Sequence, residues 1–375
     1  MQNIQQSSKE VVAEILSHAD ITIDGKRPWD VQVHQPEFFS RVLCGGSLAL
    51  GETYMAGWWD CQNLDQLFFN IIKNDLSSKI KKSRTALLCG AKALLMNCQS
   101  KKRALDVGRK HYDVGNTLFE LMLDKHMAYS CGYWQGSGEL DEAQDAKLDM
   151  ICRKIKARPG MRILDIGCGW GSFVRYAAMN HKVEAVGLTI SKEQAKLAAQ
   201  RCAGLPVDIR LLDYRDLREQ FDAVVSVGMF EHVGYKNYRH FMRVVNSCLR
   251  DGGLFLLHTI ASNYSKKHCD PWFDKYIFPN GMLPSISQVG KASENVFVME
   301  DWQNIGPHYD KTLMAWFGNF RSNWDQLQGS YNETFYRMWK YYLLSLAGAF
   351  RARDLQVWQI VFSKGGQVGG CQFSQ

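Results

Sequence analysis

Glu231 and His232 stand together in residues 227–234, VGMFEHVG, directly after the apolar run FDAVVS. A carboxylate where a buried strand should end is costly unless something there needs it. Four uses fit its chemistry: a general base, a metal ligand, a structural ion, or the seat of a group that is not protein. A metal centre is disfavoured, because no second histidine or cysteine falls at ligand spacing nearby. A lone Glu-His pair is more often structural than catalytic, and His232 can simply cap or pack.

A second constellation lies upstream in residues 164–171, LDIGCGWG, where Gly167, Gly169 and Gly171 follow an apolar run. Small residues in a strand-to-helix turn let backbone N–H groups approach a ligand closely. The spacing is G-x-G-x-G rather than the dinucleotide G-x-G-x-x-G. A dinucleotide site also wants an acid ~20 residues on to hold the ribose. Gly187 stands there instead, with Thr189 just after it, so nicotinamide chemistry is disfavoured. Asp165, immediately before the glycines, suits S-adenosylmethionine, whose methionyl ammonium wants a nearby acid. Ser191 and Gln194 read as a capping box, S-x-x-Q, at a helix start.

These residues need a scaffold, and the pattern from Met161 onward supplies one. Apolar runs MRILDIG, VEAVGLTI, VDIRLL, FDAVVSVGMF and GGLFLLHTI alternate with helical segments. Such alternation predicts a doubly wound α/β sheet with a mainly parallel core, whose ligands bind at the carboxyl ends of the strands. After His258 comes a long aromatic-rich insertion, then two helical stretches, and LQVWQIVFS reads as the last edge of the sheet. Residues 1 to about 75 read as a small separate unit. The segment 79–103 carries Lys79, Lys81, Lys82, Arg84, Lys92, Lys101, Lys102 and Arg103 and no acid, and its leucines fall near helical spacing. It reads as a basic amphipathic helix, either a solvated linker or a membrane-surface contact.

The chain's 375 residues, 46% hydrophobic and 22% charged, suit one large domain or two ordinary ones. A net charge of +7 tilts towards an anionic partner, membrane or nucleic acid. Eleven scattered cysteines without a C-x-x-C pair suggest reduced thiols in the cytosol. The N-terminus lacks the basic start and apolar stretch of a signal peptide, and no apolar run approaches the ~20 residues of a membrane span.

Together, LDIGCGWGSF, VGLTISKEQ, VSVGMFEHVG, LLHTI, DPWFDKYIFPNGMLPS and HYDKTLMAWF resemble the bacterial cyclopropane-fatty-acyl-phospholipid synthases. The upstream YMAGWWD, QSKKRA, HYDVGN and YSCGYW match as well, so the resemblance covers nearly the whole chain. It extends to the related mycolic acid cyclopropane synthases, which lack the N-terminal unit. The resemblance implies a class I S-adenosylmethionine-dependent methyltransferase domain beside a small N-terminal α+β or helical domain. The expected segments are a lipid-docking domain over 1–78, a basic linker over 79–104 and the catalytic domain with its acyl pocket over 105–375. The implied reaction adds a carbon from S-adenosylmethionine to a cis double bond of a phospholipid acyl chain and closes a cyclopropane ring.

On the same resemblance, the cofactor contacts fall on Tyr129, Ser130, Gly167, Cys168, Gly169, Trp170, Gly171, Thr189, Ile190 and Gln194, and Asp165 joins them by its place before the glycines. Tyr214 and Arg215 take the adenine end. A bicarbonate ion, the implied base, falls to Cys131, Glu231, His258, Ile260 and Tyr309, the first and fourth through backbone groups. Glu231 then becomes a holder of the ion. Trp272, Phe273, Tyr276, Phe278, Trp316, Phe317 and Phe320 either stabilise a cation or pack the core. Some relatives have a cysteine just before AGAFRARD, where this chain has Leu346, which excludes covalent catalysis there. The implied partners are unsaturated phospholipid at the inner membrane face and a second copy in a homodimer, with no nucleic acid. Two other readings stand beside this one: an N-methyltransferase of a small amine, and a non-catalytic lipid-binding relative.

Overall fold

The computed structural model describes residues 2–76, 78 and 115–371. The basic segment 79–103 lies outside the described residues, as do QSKKRA and most of HYDVGN. The chain divides into two compact units. Their bounds are not the linear segments 1–78, 79–104 and 105–375. The first unit takes the described residues up to 78 together with Cys269–Pro279 and Trp316–Asp354, and the second takes Gly115–His268, Asn280–Ala315 and the chain from Leu355.

Aromatic packing explains why the later segments join the first unit. The helix Glu333–Arg351 buries residues on more than one stripe, so it needs partners on several sides. It packs on the helix Leu64–Lys73 so closely that a Cβ at Gly348 would come within 2.5 Å of the Asp65 carbonyl. Trp272 packs at a tilt 4.5 Å from Tyr341, and Phe320 stacks 5.4 Å from Tyr336. Phe273 and Phe278 sit against Tyr342. These rings, read from sequence as either cation stabilisers or core, have core partners within this unit. Buried Glu52 ties the pieces together, accepting from Lys275 Nζ at 2.7 Å and the Tyr276 hydroxyl at 3.1 Å. A two-stranded ribbon, β1 (Gln32–Val33) with β2 (Trp59–Asp60), completes the unit.

The second unit is built on seven strands: β3 (Arg162–Ile166), β4 (Glu184–Thr189), β5 (Val207–Leu211), β6 (Phe221–Val227), β7 (Leu249–Ser262), β8 (Val298–Asn304) and β9 (Leu355–Ser363). Their order is β5-β4-β3-β6-β7-β9-β8. The first five in that order are parallel, and β9 pairs antiparallel with both β7 and β8. Apolar clusters cover both faces. The chain winds outward from β3 through β5, then returns to place β6 on the other side of β3, so the carboxyl ends of β3 and β6 flank a topological switch point.

One strand assignment needs correction. β9 is not the edge of the sheet; β8 is. All nine residues of β9 are buried, as an inner strand demands, whereas VMEDWQN mixes charged and apolar residues and is mostly half-exposed or exposed. That polarity hid β8 inside the aromatic-rich insertion. Among the described residues no helix is long and apolar enough to cross a membrane.

Candidate functional site

The glycine turn closes β3. Gly167, Gly169 and Gly171 take φ values of 88°, 55° and 80°, a region where a side chain is strained. The Gly167 and Cys168 amides donate to the Leu188 carbonyl at 3.0 and 2.8 Å, fastening the turn to β4. Gly187 is required by packing: a Cβ there would meet Cys168 Sγ at 2.9 Å and Ile209 Cδ1 at 3.0 Å. The carboxylate a dinucleotide site would want has no room.

Asp165 is 2% exposed, and its Oδ1 has no hydrogen-bond partner among the described residues. Burial pushes its carboxyl up to about 7, against the opposing pull of Lys147. Lys147, which the sequence reading passed over, is itself buried in the helix Leu140–Lys154. Its ammonium is pushed down to about 8 by burial and supported by Asp124, Cys131 and Asp165. It donates to Ser130 Oγ at 2.9 Å, and Gln144, one helical turn earlier, donates to the Ser130 carbonyl at 2.9 Å. The spacing of three puts both on one helix face, so this face holds the Tyr129–Ser130–Cys131 strip from behind. Trp170 reaches Asn116 Oδ1 at 2.9 Å and packs on Phe119, which in turn packs on Tyr129.

On the next strand, Thr189 Oγ1 donates to Gln194 Oε1 at 2.9 Å, while Ser191 Oγ accepts from the Gln194 amide at 3.3 Å. Only half of the expected capping box forms, because the Gln194 side chain turns to Thr189 instead of back to Ser191. The complete box in this unit is Ser285 with Gln288. Ile190 is 80% exposed. Arg215 is held by Asp213 at 2.6 Å, and Tyr214 packs edge-on against Phe241.

At the end of β6, Glu231 sits in a short 3-10 turn and is buried. Its Oε1 accepts from the Ile260 amide at 2.6 Å, and its Oε2 has no partner among the described residues. Burial pushes the carboxyl up to about 7. The Ile260 N–H is therefore committed to orienting Glu231, and the Ile260 carbonyl accepts from the Thr259 hydroxyl at 3.0 Å. His258, opposite Val227 in the β6–β7 register, is 1% exposed. Burial first, then the charges of Lys147 and Lys154, push it down to about 3, so the ring is neutral. The Gln359 amide lies 3.3 Å from His258 Nδ1; with that amide donating, the imidazole proton resides on Nε2. Gln359, on β9, was also passed over, since a glutamine inside an apolar strand gives no signal until its cross-strand partner is known.

Tyr309 is buried on the helix Pro307–Ser322, its hydroxyl held far above the usual range by burial and by Cys131, Tyr129 and Glu231 nearby. Cys131 is fully buried and its thiol is pushed up by the same desolvation, which keeps it protonated and inert. His232, in contrast, is exposed. Half-buried Tyr129 and buried Cys131 and Glu231 thus lie close enough to act on Tyr309, while Lys147 links Cys131, Asp165 and His258 electrostatically. Ile190 stands just past the end of β4, and Tyr214 and Arg215 in the short turn between β5 and β6.

A mainly parallel sheet with a switch point, a glycine turn preceded by a buried acid, and polar groups on the next strand define a class I S-adenosylmethionine-dependent methyltransferase. The solved mycolic acid cyclopropane synthase CmaA1 complexed with SAH and CTAB is similar at 34% identity and a TM-score of 0.64, covering 68% of this chain and 96% of that one. Residues 99–360 match the family described as mycolic acid cyclopropane synthetase, and the chain belongs to that family. It is 54% identical over 359 residues to the cyclopropane-fatty-acyl-phospholipid synthase of Escherichia coli K12, covering 96% of this chain and 94% of that protein. Coclaurine N-methyltransferase, at 21% identity and a TM-score of 0.65 over 84% of this chain and 98% of that one, shares the fold.

Proposed function

We propose that the protein forms cyclopropane fatty acids on membrane phospholipid, with S-adenosylmethionine as carbon donor and a bound bicarbonate ion as base. The family match and the near full-length likeness to the E. coli synthase support the first part. The base rests on one observation, the buried Glu231 Oε2 left without a partner among the described residues beside a fixed Oε1. A buried oxygen of this kind is a strained arrangement unless a ligand completes it.

The residues fit both groups. Asp165 Oδ1 offers an acceptor for an ammonium, Ser130 and Lys147 offer donors near it, and the glycine turn admits a ligand to its backbone. S-adenosylmethionine supplies an electrophilic methyl group when bound there. Bicarbonate, when bound, supplies a small oxyanion able to take the ring-closing proton. Glu231 would accept from its hydroxyl, and neutral His258 and Tyr309 would donate to its oxygens. Cys131 would contribute backbone, since its thiol is inert, and Ile260 acts by aiming Glu231.

An isolated alkene is a weak nucleophile, so no side-chain base can activate it in advance. The chain's task is to position the double bond and to keep water from the cationic carbon that follows. The small-amine reading has only fold likeness behind it.

The test is incubation with S-adenosylmethionine and vesicles of cis-monounsaturated phospholipid, with bicarbonate present or stripped. Fatty acids gaining one methylene and resisting hydrogenation support the reading, and dependence on bicarbonate supports the base. Unchanged lipid with intact cofactor binding sinks it.

A further inference from the structure

The phospholipid reading leaves one requirement open: the catalytic unit must meet a bilayer surface, and among the described residues no helix is long and apolar enough to cross one. The exposed apolar side chains of this unit are therefore informative. Two of them, Tyr264 and Ile286, are 60% and 62% exposed, and they stand on either side of a single fastening point. Ser265 Oγ and Ser285 Oγ lie 2.7 Å apart. Around that point the Ser262 amide donates to the Pro284 carbonyl at 2.9 Å and Gln288 Nε2 donates to the Lys266 carbonyl at 3.4 Å. The loop after β7 is thus stapled along the start of the helix Ile286–Ser293, whose capping box uses the same Ser285. Lys266 holds its ammonium 5.9 Å from the Tyr264 ring centroid, and Lys267 beside it is exposed.

Resting on that reading of the substrate, we infer that Tyr264, Lys266, Lys267 and Ile286 form a docking patch for the surface of an anionic phospholipid bilayer. An aromatic ring with a polar tip, an aliphatic side chain and flanking lysines are what the headgroup boundary accommodates. The apolar bodies enter the acyl margin and the ammonium groups pair with lipid charge.

The position of the patch carries the argument further. Both of its limbs lead directly to Glu231. The Ile260 amide that aims the carboxylate stands four residues before Tyr264. The Met282 amide that donates to the Glu231 carbonyl at 2.8 Å stands four residues before Ile286. Four extended residues span at most ~13 Å, close to the ~15 Å depth of one leaflet, half of a ~30 Å hydrocarbon core. A patch seated at the headgroups would leave a mid-chain double bond about the right reach from the Glu231 seat. Neither the basic segment 79–103 nor the first unit enters this inference.

The experiment uses the full chain, loaded with S-adenosylhomocysteine, in sedimentation with vesicles rich in unsaturated phosphatidylglycerol at low and high salt. Activity is read in parallel on the same lipid as vesicles and as a detergent dispersion, and melting temperature and solution mass are checked for each variant. Lys266→Gln with Lys267→Gln should weaken vesicle binding up to about 30-fold at low salt, two charges at ~1 kcal/mol each, and little at high salt. Tyr264→Ser with Ile286→Ser should weaken it at both. Each pair should lose activity on vesicles and keep it on dispersed lipid. Vesicle binding within twofold of the parent in both pairs overturns the inference. So does equal loss on dispersed lipid, which would make these residues part of the acyl site, and so does a change in solution mass with vesicle binding intact, which would make the face a contact between copies. A parent protein inactive on both presentations refutes the substrate reading instead.

Discussion

Replacing Asp165 by Asn should make the ligand-free protein more stable and a poorer binder of cofactor. Asp165 is 2% exposed, its Oδ1 is unpaired among the described residues, and burial raises its carboxyl from 3.8 to about 7. A carboxyl whose folded-state pKa lies above its unfolded value favours folding while protonated. That contribution is fully present below the unfolded pKa and is lost as pH rises through 7. A shift of about three units corresponds to ~4 kcal/mol, a ceiling because Lys147 also loses its partner charge in the variant. Asn has nearly the same shape and never ionises. Denaturant unfolding of ligand-free parent and Asp165→Asn variant should therefore agree near pH 4 and diverge towards pH 8, with the variant ahead by about 2–4 kcal/mol. Taking the difference cancels Glu231 and His258 to first order, while Lys147, coupled to Asp165, accounts for the lower end of that range. Calorimetry with S-adenosylhomocysteine at pH 8 should show the variant at least tenfold weaker, the loss of a charge-assisted bond to an ammonium. A difference in stability that does not change with pH would refute the reasoning, as would undiminished affinity.

Three further outcomes follow from the same site. Glu231→Gln should cut cyclopropane formation about a hundredfold, the scale of losing one preorganised polar group, while S-adenosylhomocysteine affinity stays within a few-fold by calorimetry; retained activity would refute the holder role. Cys131→Ser should keep most activity in the fatty-acid assay, because the buried thiol is inert; complete loss would show that the sulfur takes part. Lys147→Met removes the cation that lowers the Asp165 carboxyl, so the pH midpoint of S-adenosylhomocysteine binding should move upward, measured by calorimetry across pH 6–9. An unmoved midpoint would confine Lys147 to packing.

Much of this site is readable from sequence because its parts are local. The glycine turn, the acid before it and the carboxylate after β6 each announce themselves within ten residues, and the sheet order sets the ends of β3 and β6 side by side. Lys147 and Gln359 are different. A lysine on an ordinary-looking helix reads as surface, and only the packing of that helix reveals that its ammonium reaches Ser130. Gln359 matters through a cross-strand register that pairs it with a histidine about a hundred residues away. The misplaced sheet edge has the same origin, since β8 is polar by local pattern and its pairing is set by β9. The late helix Glu333–Arg351 likewise joins the N-terminal unit through aromatic contacts that no local periodicity records.

The insertion of β9 between β7 and β8 also governs when the enzyme can first exist. β8 bonds to the sheet through β9 alone, and β9 carries the amide that sets the His258 proton. During synthesis, β3 to β7 can assemble as a parallel core while the chain is still growing. β8 must then wait unpaired, its polar composition keeping it soluble, until residues 355–363 emerge. The histidine acquires its partner in that same event. A chain stalled before that strand would hold the glycine turn and the buried glutamate, yet its His258 would lack the Gln359 amide and its β8 a pairing partner.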